Sequence, residues 1–296
     1  MSENKAVSAE FEVLREFWES FRSNRGAVAG LVLLFGACAT ALLAPWLAPY
    51  GATEMFTDHL RGPTFWQEGG SWRFPLGTDD VGRDQVSRLI YGARVSLGAG
   101  FLVVLFSTSI GTLLGLVSGY FGGLIDQAIM RATDVLMALP STLLAIVVVA
   151  MLGPSLTNGI IATSIVAIPG FIRLVRATTL VEKSKQYVTA SRSFGASHAW
   201  IMFWNILPNT MATLIVQATL TFSDGILNIA ALGFLGLGAQ PPTPEWGTML
   251  ADARPFIESA PWLVTLPGLC ILMVVLAFNL LGDGLRDALD PRLKRG

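Results

Sequence analysis

Charge is scarce in this 296-residue chain: 14% of residues are Asp, Glu, Lys or Arg, where soluble domains carry about 25%. That shortage excludes a disordered chain, a nucleic-acid binder and a typical soluble enzyme. Histidine is limited to His59 and His198 and cysteine to Cys38 and Cys270, too few for a His-rich metal centre or a disulfide framework. Both cysteines lie in apolar runs and read as small buried hydrophobes. No Gly-x-Ser-x-Gly elbow occurs, which leaves a serine hydrolase without support. The lysines are Lys5, Lys183, Lys185 and Lys294; none follows a glycine, so no Walker A loop exists to cradle a nucleotide.

What is present is apolar: 52% hydrophobic residues, mean hydropathy +0.57, 30 Gly and 17 Phe. Stretches free of charged residues long enough to cross a bilayer, about 20 residues, run over Gly26–Thr53 (apolar from Ala27 to Leu47), Val95–Ile125, Val135–Ile172 and Ser259–Gly282. Asn209–Gly238 is another, broken by Asp224 alone. Val135–Ile172 is too long for one span, and Gly153-Pro154-Ser155 supplies a turn that divides it. The expectation is an all-α polytopic membrane protein with six transmembrane helices.

The domain reading follows. Residues 1–26 form an N-terminal interfacial helix, with Phe11, Leu14, Phe17, Trp18 and Phe21 at helical spacing among Glu12, Arg15, Glu16, Glu19 and Arg22. A helix packed on a partner would look the same. Residues 27–48 are the first span, an uncleaved anchor rather than a signal peptide, since the preceding residues hold five Glu and the run exceeds an h-region. A periplasmic segment covers 49–94, the core spans cover 95–282 with a cytoplasmic loop at 178–208, and 283–296 is a cytoplasmic tail. With the N-terminus inside, 14 of the 20 basic residues face the cytoplasm, so both termini are expected there.

Within the loop, Ala190, Ser191, Ser193 and Ala196 are small and Gly195 breaks the helix, so two short helices should meet at a glycine hinge. Trp200, Phe203 and Trp204 give the second an apolar stripe toward the bilayer, and Pro208 suits the first turn of the next helix. An ordinary interfacial loop fits the same composition.

The loop resembles the signature of permease subunits of ABC importers, Glu-Ala-Ala-x3-Gly-x9-Ile-x-Leu-Pro. Ala190, Gly195, Leu207 and Pro208 match, while Thr189, Ser191 and Asn205 stand where the motif has Glu, Ala and Ile. Tyr187-Val-Thr-Ala-Ser-Arg192 is similar to the oligopeptide/dipeptide branch. So are Leu76–Asp84 with Ser87–Arg94, Ala231–Gly238, Pro241–Met249 and Asp283–Arg292. The resemblance implies the type I ABC importer permease fold in a bacterial inner membrane. It implies a second permease subunit, two ATPase subunits that bind ATP and magnesium, and a periplasmic peptide-binding protein. It implies no cofactor or catalysis in this chain, and it makes Tyr187, Thr189, Ala190, Ser191, Arg192, Gly195, Leu207 and Pro208 the ATPase-coupling residues, with a coupling helix around Thr189–Gly195 that docks on the ATPase and transmits its motion.

Other residues carry readings of their own. Gly111, Gly115 and Gly119 recur every four residues and form a groove for a close-packed helix, in this chain or a partner. Pro140, Pro169 and Pro267 should kink their helices. Asp224 costs roughly 2.5–3.5 kcal/mol at a helix centre, so it faces protein or water. Gln217, Thr221 and Asn228 lie near it on α-helical spacing, a polar face that lines a peptide pathway or bonds another helix. Asp79, Asp80, Arg83, Asp84 and Arg88 either fold the external segment through ion pairs or meet a binding protein. A nickel, haem or other small-solute cargo stays open, as does, more remotely, a secondary transporter, which would need an intramembrane ion site and usually a repeat.

Overall fold

The computed structural model describes residues 15–289. Phe11, Glu12 and Leu14 of the interfacial helix and the last residues of the tail lie outside them. Helix α1 covers 15–23, and Phe21 docks it against Leu281 and Ala288. Asn24 then caps α2 (Arg25–Leu42), its side chain accepting from Ala27 N at 3.1 Å. A one-turn α3 (Ala44–Leu47) leads into a lobe over residues 48–84 with a Tyr50, Phe56 and Phe74 core.

Helix α4 (Gln85–Phe121) starts at Gln85 rather than at Val95. Asp84 caps it, accepting from Ser87 N at 2.8 Å and Ser87 Oγ at 2.7 Å. Arg88 and Arg94 interrupt the charge-free run, yet Arg88 is buried within the helix. The pair α5 (Gly123–Met137) and α6 (Ser141–Leu152) meets at a 92° bend. The expected span from Val135 is therefore corrected: Pro140 stands between two helices, at the N-cap of α6, instead of kinking one. The 12 residues of α6 reach only about 18 Å, short of a bilayer core of about 30 Å. The turn at Gly153–Ser155 is as read, with Ser155 capping α7 (Leu156–Lys183).

After α8 (Gln186–Ser193) comes one unbroken helical rod. It comprises α9 (His198–Trp200), a wide π-turn segment (Ile201–Ile206) and α10 (Leu207–Phe234). Pro208 does sit in the first turn of α10, but that turn continues the rod; the loosened π segment precedes the proline's missing N–H. Helix α11 (Trp246–Ala253) and α12 (Trp262–Leu289) follow. Pro169 and Pro267 lie inside α7 and α12 without ending them.

Among the described residues, five helices are long and apolar enough to cross a membrane, and the bent pair makes a sixth span if its halves are taken together. Among the described residues there is no β-strand. Helix α10 is central, packed on α4, α7, α11 and α12, while α2 leans on α12 and α6 on α7. Phe222 of α10 and Phe278 of α12 stack at 3.8 Å in the main core, which also takes Leu89, Leu97 and Trp246. Outer faces stay apolar: Val32, Phe35, Phe101 and Met151 are exposed, as lipid-facing side chains should be. Cys38 is exposed on α2 too, not buried as its apolar run suggested, and Cys270 is half-buried; a hydrocarbon solvent removes the reason to bury either.

Candidate functional site

Three places carry the polar chemistry. The first is a cavity of about 510 Å³ between α10, α7 and the α5–α6 bend. Gln217, Thr221, Asp224 and Asn228 all line it from α10, because residues three and four apart share a helix face. Thr163, Pro169 and Gly170 of α7 face them, and Ser141 adds a hydroxyl-bearing residue at the bend. Gln217 Nε2 lies 3.4 Å from Thr221 Oγ1, and Asn228 Nδ2 donates to the Asp224 carbonyl at 2.8 Å. The Asp224 carboxylate has neither an ion pair nor a hydrogen bond among the described residues. A carboxylate without a partner, beside amide and hydroxyl groups in an open cavity, is suited to receive a cation.

The second place is the loop end, where α8 stands on the tips of α4, α7 and α10. Val188 is fully buried among Tyr120, Val175, Ile201 and Ile206. Tyr187 Oη donates to Glu182 Oε2 at 2.6 Å, lies 3.2 Å from the Asn205 carbonyl and accepts from Asn209 Nδ2 at 3.2 Å. Burial, then the Glu182 carboxylate, pushes the phenol up to about 12, so it stays a donor. Ser191 Oγ accepts from Asn205 Nδ2 at 2.6 Å. Thr189, Ala190 and Arg192 lie on the exposed side, and Arg192 reaches over the Tyr120 ring. Gly195 has φ +79°, the left-handed conformation that glycine adopts freely. Leu207 is half-buried, packed against the Val188 cluster, and Pro208 is exposed beside it. Sequence reasoning passed over Phe194, which ends α8 with 92% of its surface exposed.

The third place is the lobe end. Asp79 binds Arg83 Nε at 2.6 Å and lies 3.4 Å from Arg88 Nε, and all three are buried. Asp84 is buried in its capping role and Asp80 is half-exposed, so most of this charge faces inward and folds the segment. Glu245 went unassigned in the sequence. Its carboxylate is 1% exposed and accepts from Gly247 N, Thr248 N, Thr248 Oγ1 and Ser96 Oγ at 2.8–3.2 Å. Burial raises its pKa although these donors oppose the rise. It pins α11 to α4, helped by Trp246 Nε1 donating to the Leu89 carbonyl at 3.2 Å.

The glycine stripe lies inside the chain. A Cβ on Gly111 would collide with Phe171, and on Gly115 and Gly119 it would come within 2.7 and 2.8 Å of Val175 and Thr179 Cβ. The partner helix is thus α7.

Comparison with known proteins agrees with this layout. Residues 111–295 match the family described as "Binding-protein-dependent transport system inner membrane component", and residues 13–63 match the "N-terminal TM domain of oligopeptide transport permease C". The chain is 58% identical over 297 residues to the dipeptide transport system permease protein DppC of Escherichia coli, covering all of this chain and 99% of that one. It is 57% identical to the di/tripeptide transport system permease protein DppC of Pseudomonas aeruginosa (95% and 93% covered). It is 47% identical to the glutathione transport system permease protein GsiD of Pectobacterium atrosepticum (95% and 91% covered). Among solved structures, the MetNI methionine ABC transporter in an inward-facing conformation superposes with a TM-score of 0.56 over 69% of this chain and 97% of that one, at 20% identity, a likeness of fold. The chain belongs to the family of inner-membrane permease components of binding-protein-dependent ABC importers, in the branch named for dipeptide transport.

Proposed function

We propose that this chain is one of two permease subunits that carry dipeptides and other short peptides inward, driven by two ATPase subunits and supplied by a periplasmic peptide-binding protein. Its relatives named for dipeptide, di/tripeptide and glutathione transport share that cargo class, all short peptides. The observation that carries the reading to the residue level is the cavity holding Gln217, Thr221, Asp224 and Asn228 with an unpaired carboxylate. Every free peptide offers an ammonium group whatever its side chains, so one carboxylate serves many sequences. The second permease subunit closes the open side of the cavity. The segment Thr189–Gly195 takes up the ATPase motion, and the termini lie in the cytoplasm. ATP and magnesium belong to the ATPase subunits; this chain binds, encloses and releases.

The test is import of radiolabelled alanyl-alanine into proteoliposomes holding the complete importer. Import should require ATP and the ATPase subunits. Asp224→Ala, in a complex of normal composition, should lower it about tenfold, the loss of one charged hydrogen bond. Unchanged import by the variant removes Asp224 from the pathway, and import by this chain without ATPases removes the importer reading.

A further inference from the structure

Gly195 was expected to act as a hinge, but the geometry around it is that of a closed turn. Gly195 N donates to the Arg192 carbonyl at 3.0 Å and Ala196 N to the Ser191 carbonyl at 3.1 Å. With Gly195 at positive φ, this pair of bonds is a Schellman motif, which ends a helix in one fixed conformation. Side chains on either side of the turn are then tied together. Ser191, before it, accepts from Asn205, after it, at 2.6 Å. The two departures of this loop from the general permease motif at Ser191 and Asn205 are therefore partners of each other: where the motif has Ala and Ile, this chain pairs a hydroxyl with an amide.

The remaining contacts fix both halves to the membrane helices. Val188 is inserted among Tyr120 of α4, Val175 of α7 and Ile206 of the π segment. Tyr187 touches Glu182 of α7 and Asn209 of α10 through one hydroxyl. Beyond the glycine, His198 Nδ1 is 2.8 Å from Tyr120 Oη. From Asn205 the backbone runs as one rod through the π segment into α10, on which Asp224 lies.

We propose that the loop works as a rigid block stapled across Gly195, with Ser191 and Asn205 as positioning residues that make displacement of α8 a displacement of α10. The proposal rests on the importer reading above and says how the drive reaches the cavity. A loop able to flex at Gly195 would absorb the ATPase stroke; a stapled one delivers it to the rod.

The experiment measures ATP hydrolysed per alanyl-alanine imported by the complete importer in proteoliposomes, with subunit composition checked by co-purification. The wild-type complex must import in an ATP-dependent way; failure there defeats the importer reading and leaves the staple aside. Given that, Ser191→Ala and Asn205→Ala should each raise ATP per peptide by about threefold or more, and the double variant should be no worse than either single, as members of one contact behave. Ser191→Thr, which keeps the hydroxyl, should couple like wild type. Unchanged ratios, or effects that multiply in the double variant, overturn the proposal. A second arm covers variants that fail to assemble. With Cys38 and Cys270 replaced by alanine, the Ser191→Cys and Asn205→Cys pair is oxidised across the turn. Import should survive the crosslink. Import lost on oxidation and recovered with dithiothreitol would show that the loop has to flex, which also overturns the proposal.

Discussion

Phe194 ends α8 with 92% of its surface in solvent, next to the Gly195 turn that fixes its direction. Its neighbours on the exposed side are Thr189, Ala190 and Arg192, which are small or polar. A rigidly presented aromatic among small residues is the usual form of an interface anchor. Truncation to alanine is expected to cost about 2 kcal/mol of ATPase binding, a roughly thirtyfold weaker complex. Retention of purified ATPase subunits on the immobilised permease pair measures this, and equal retention would show that Phe194 docks elsewhere. The same scale shows where sequence reading ends. Asp224, Gln217, Thr221 and Asn228 were legible because helical spacing alone puts them on one face of α10. Phe194 was not, because an aromatic at a helix end reads as buried until the turn beside it is known. Glu245 was hidden in a proline-rich stretch, and its donors Ser96, Gly247 and Thr248 converge only after α11 folds back on α4.

At the level of elements, two contacts decide the architecture. In the α4–α7 seam glycines let backbones meet, with Gly115 against Val175 and the Ile172 carbonyl. Gly115→Leu should cost about 1–3 kcal/mol by overpacking, read as a lower midpoint of thermal unfolding for the detergent-solubilised complex. The other contact is the Glu245 anchor of α11, outside the spanning helices. Its folded-state pKa is raised, so its contribution to stability is full below the ordinary carboxylate range and declines as pH climbs through the raised value. Glu245→Gln cannot ionise; it keeps an oxygen for one of the two backbone donors and turns its amide nitrogen toward the other, so the slope of stability with pH is compared rather than its absolute level. The wild-type complex should therefore lose thermal stability with rising pH more steeply than E245Q, and parallel curves would contradict the assignment. Helices were legible where apolar runs and caps coincide, as at Asn24 and Ser155. They were misplaced where charge is buried or tolerated: Arg88 sits inside α4, and Asp126, Arg131 and Asp134 lie within α5. Arg176 and Arg173 of α7 pair with Asp126 and Asp134, which is how a charged helix is held beside the bundle. Those pairings join residues far apart in the chain and leave no periodic trace.

For the whole molecule, the lobe of residues 48–84 and the α8 loop stand at opposite ends of α4, which at 37 residues is about 55 Å long. The excess of basic residues on one side predicts the lobe outside and the loop inside. Single cysteines at Trp66 and Phe194, both exposed, in a chain lacking Cys38 and Cys270 and produced without the ATPase subunits that would cover position 194, should separate cleanly. In intact cells whose outer membrane has been made permeable, a membrane-impermeant maleimide should label the first, and the second only after lysis. Labelling of both from one side would require a different topology.

One long helix, α7, divides its circumference between two duties. Phe171, Val175 and Thr179 are locked into the glycine seam with α4, whereas Thr163, Val166, Ala167 and Gly170 border the cavity. The joint with α4 and the border of the cavity are thus written on separate sides of the same rod; under the function proposed above, packing and cargo preference are separable. On that reading a lineage would retune what it carries by trading residues on one side while the joint on the other stays untouched.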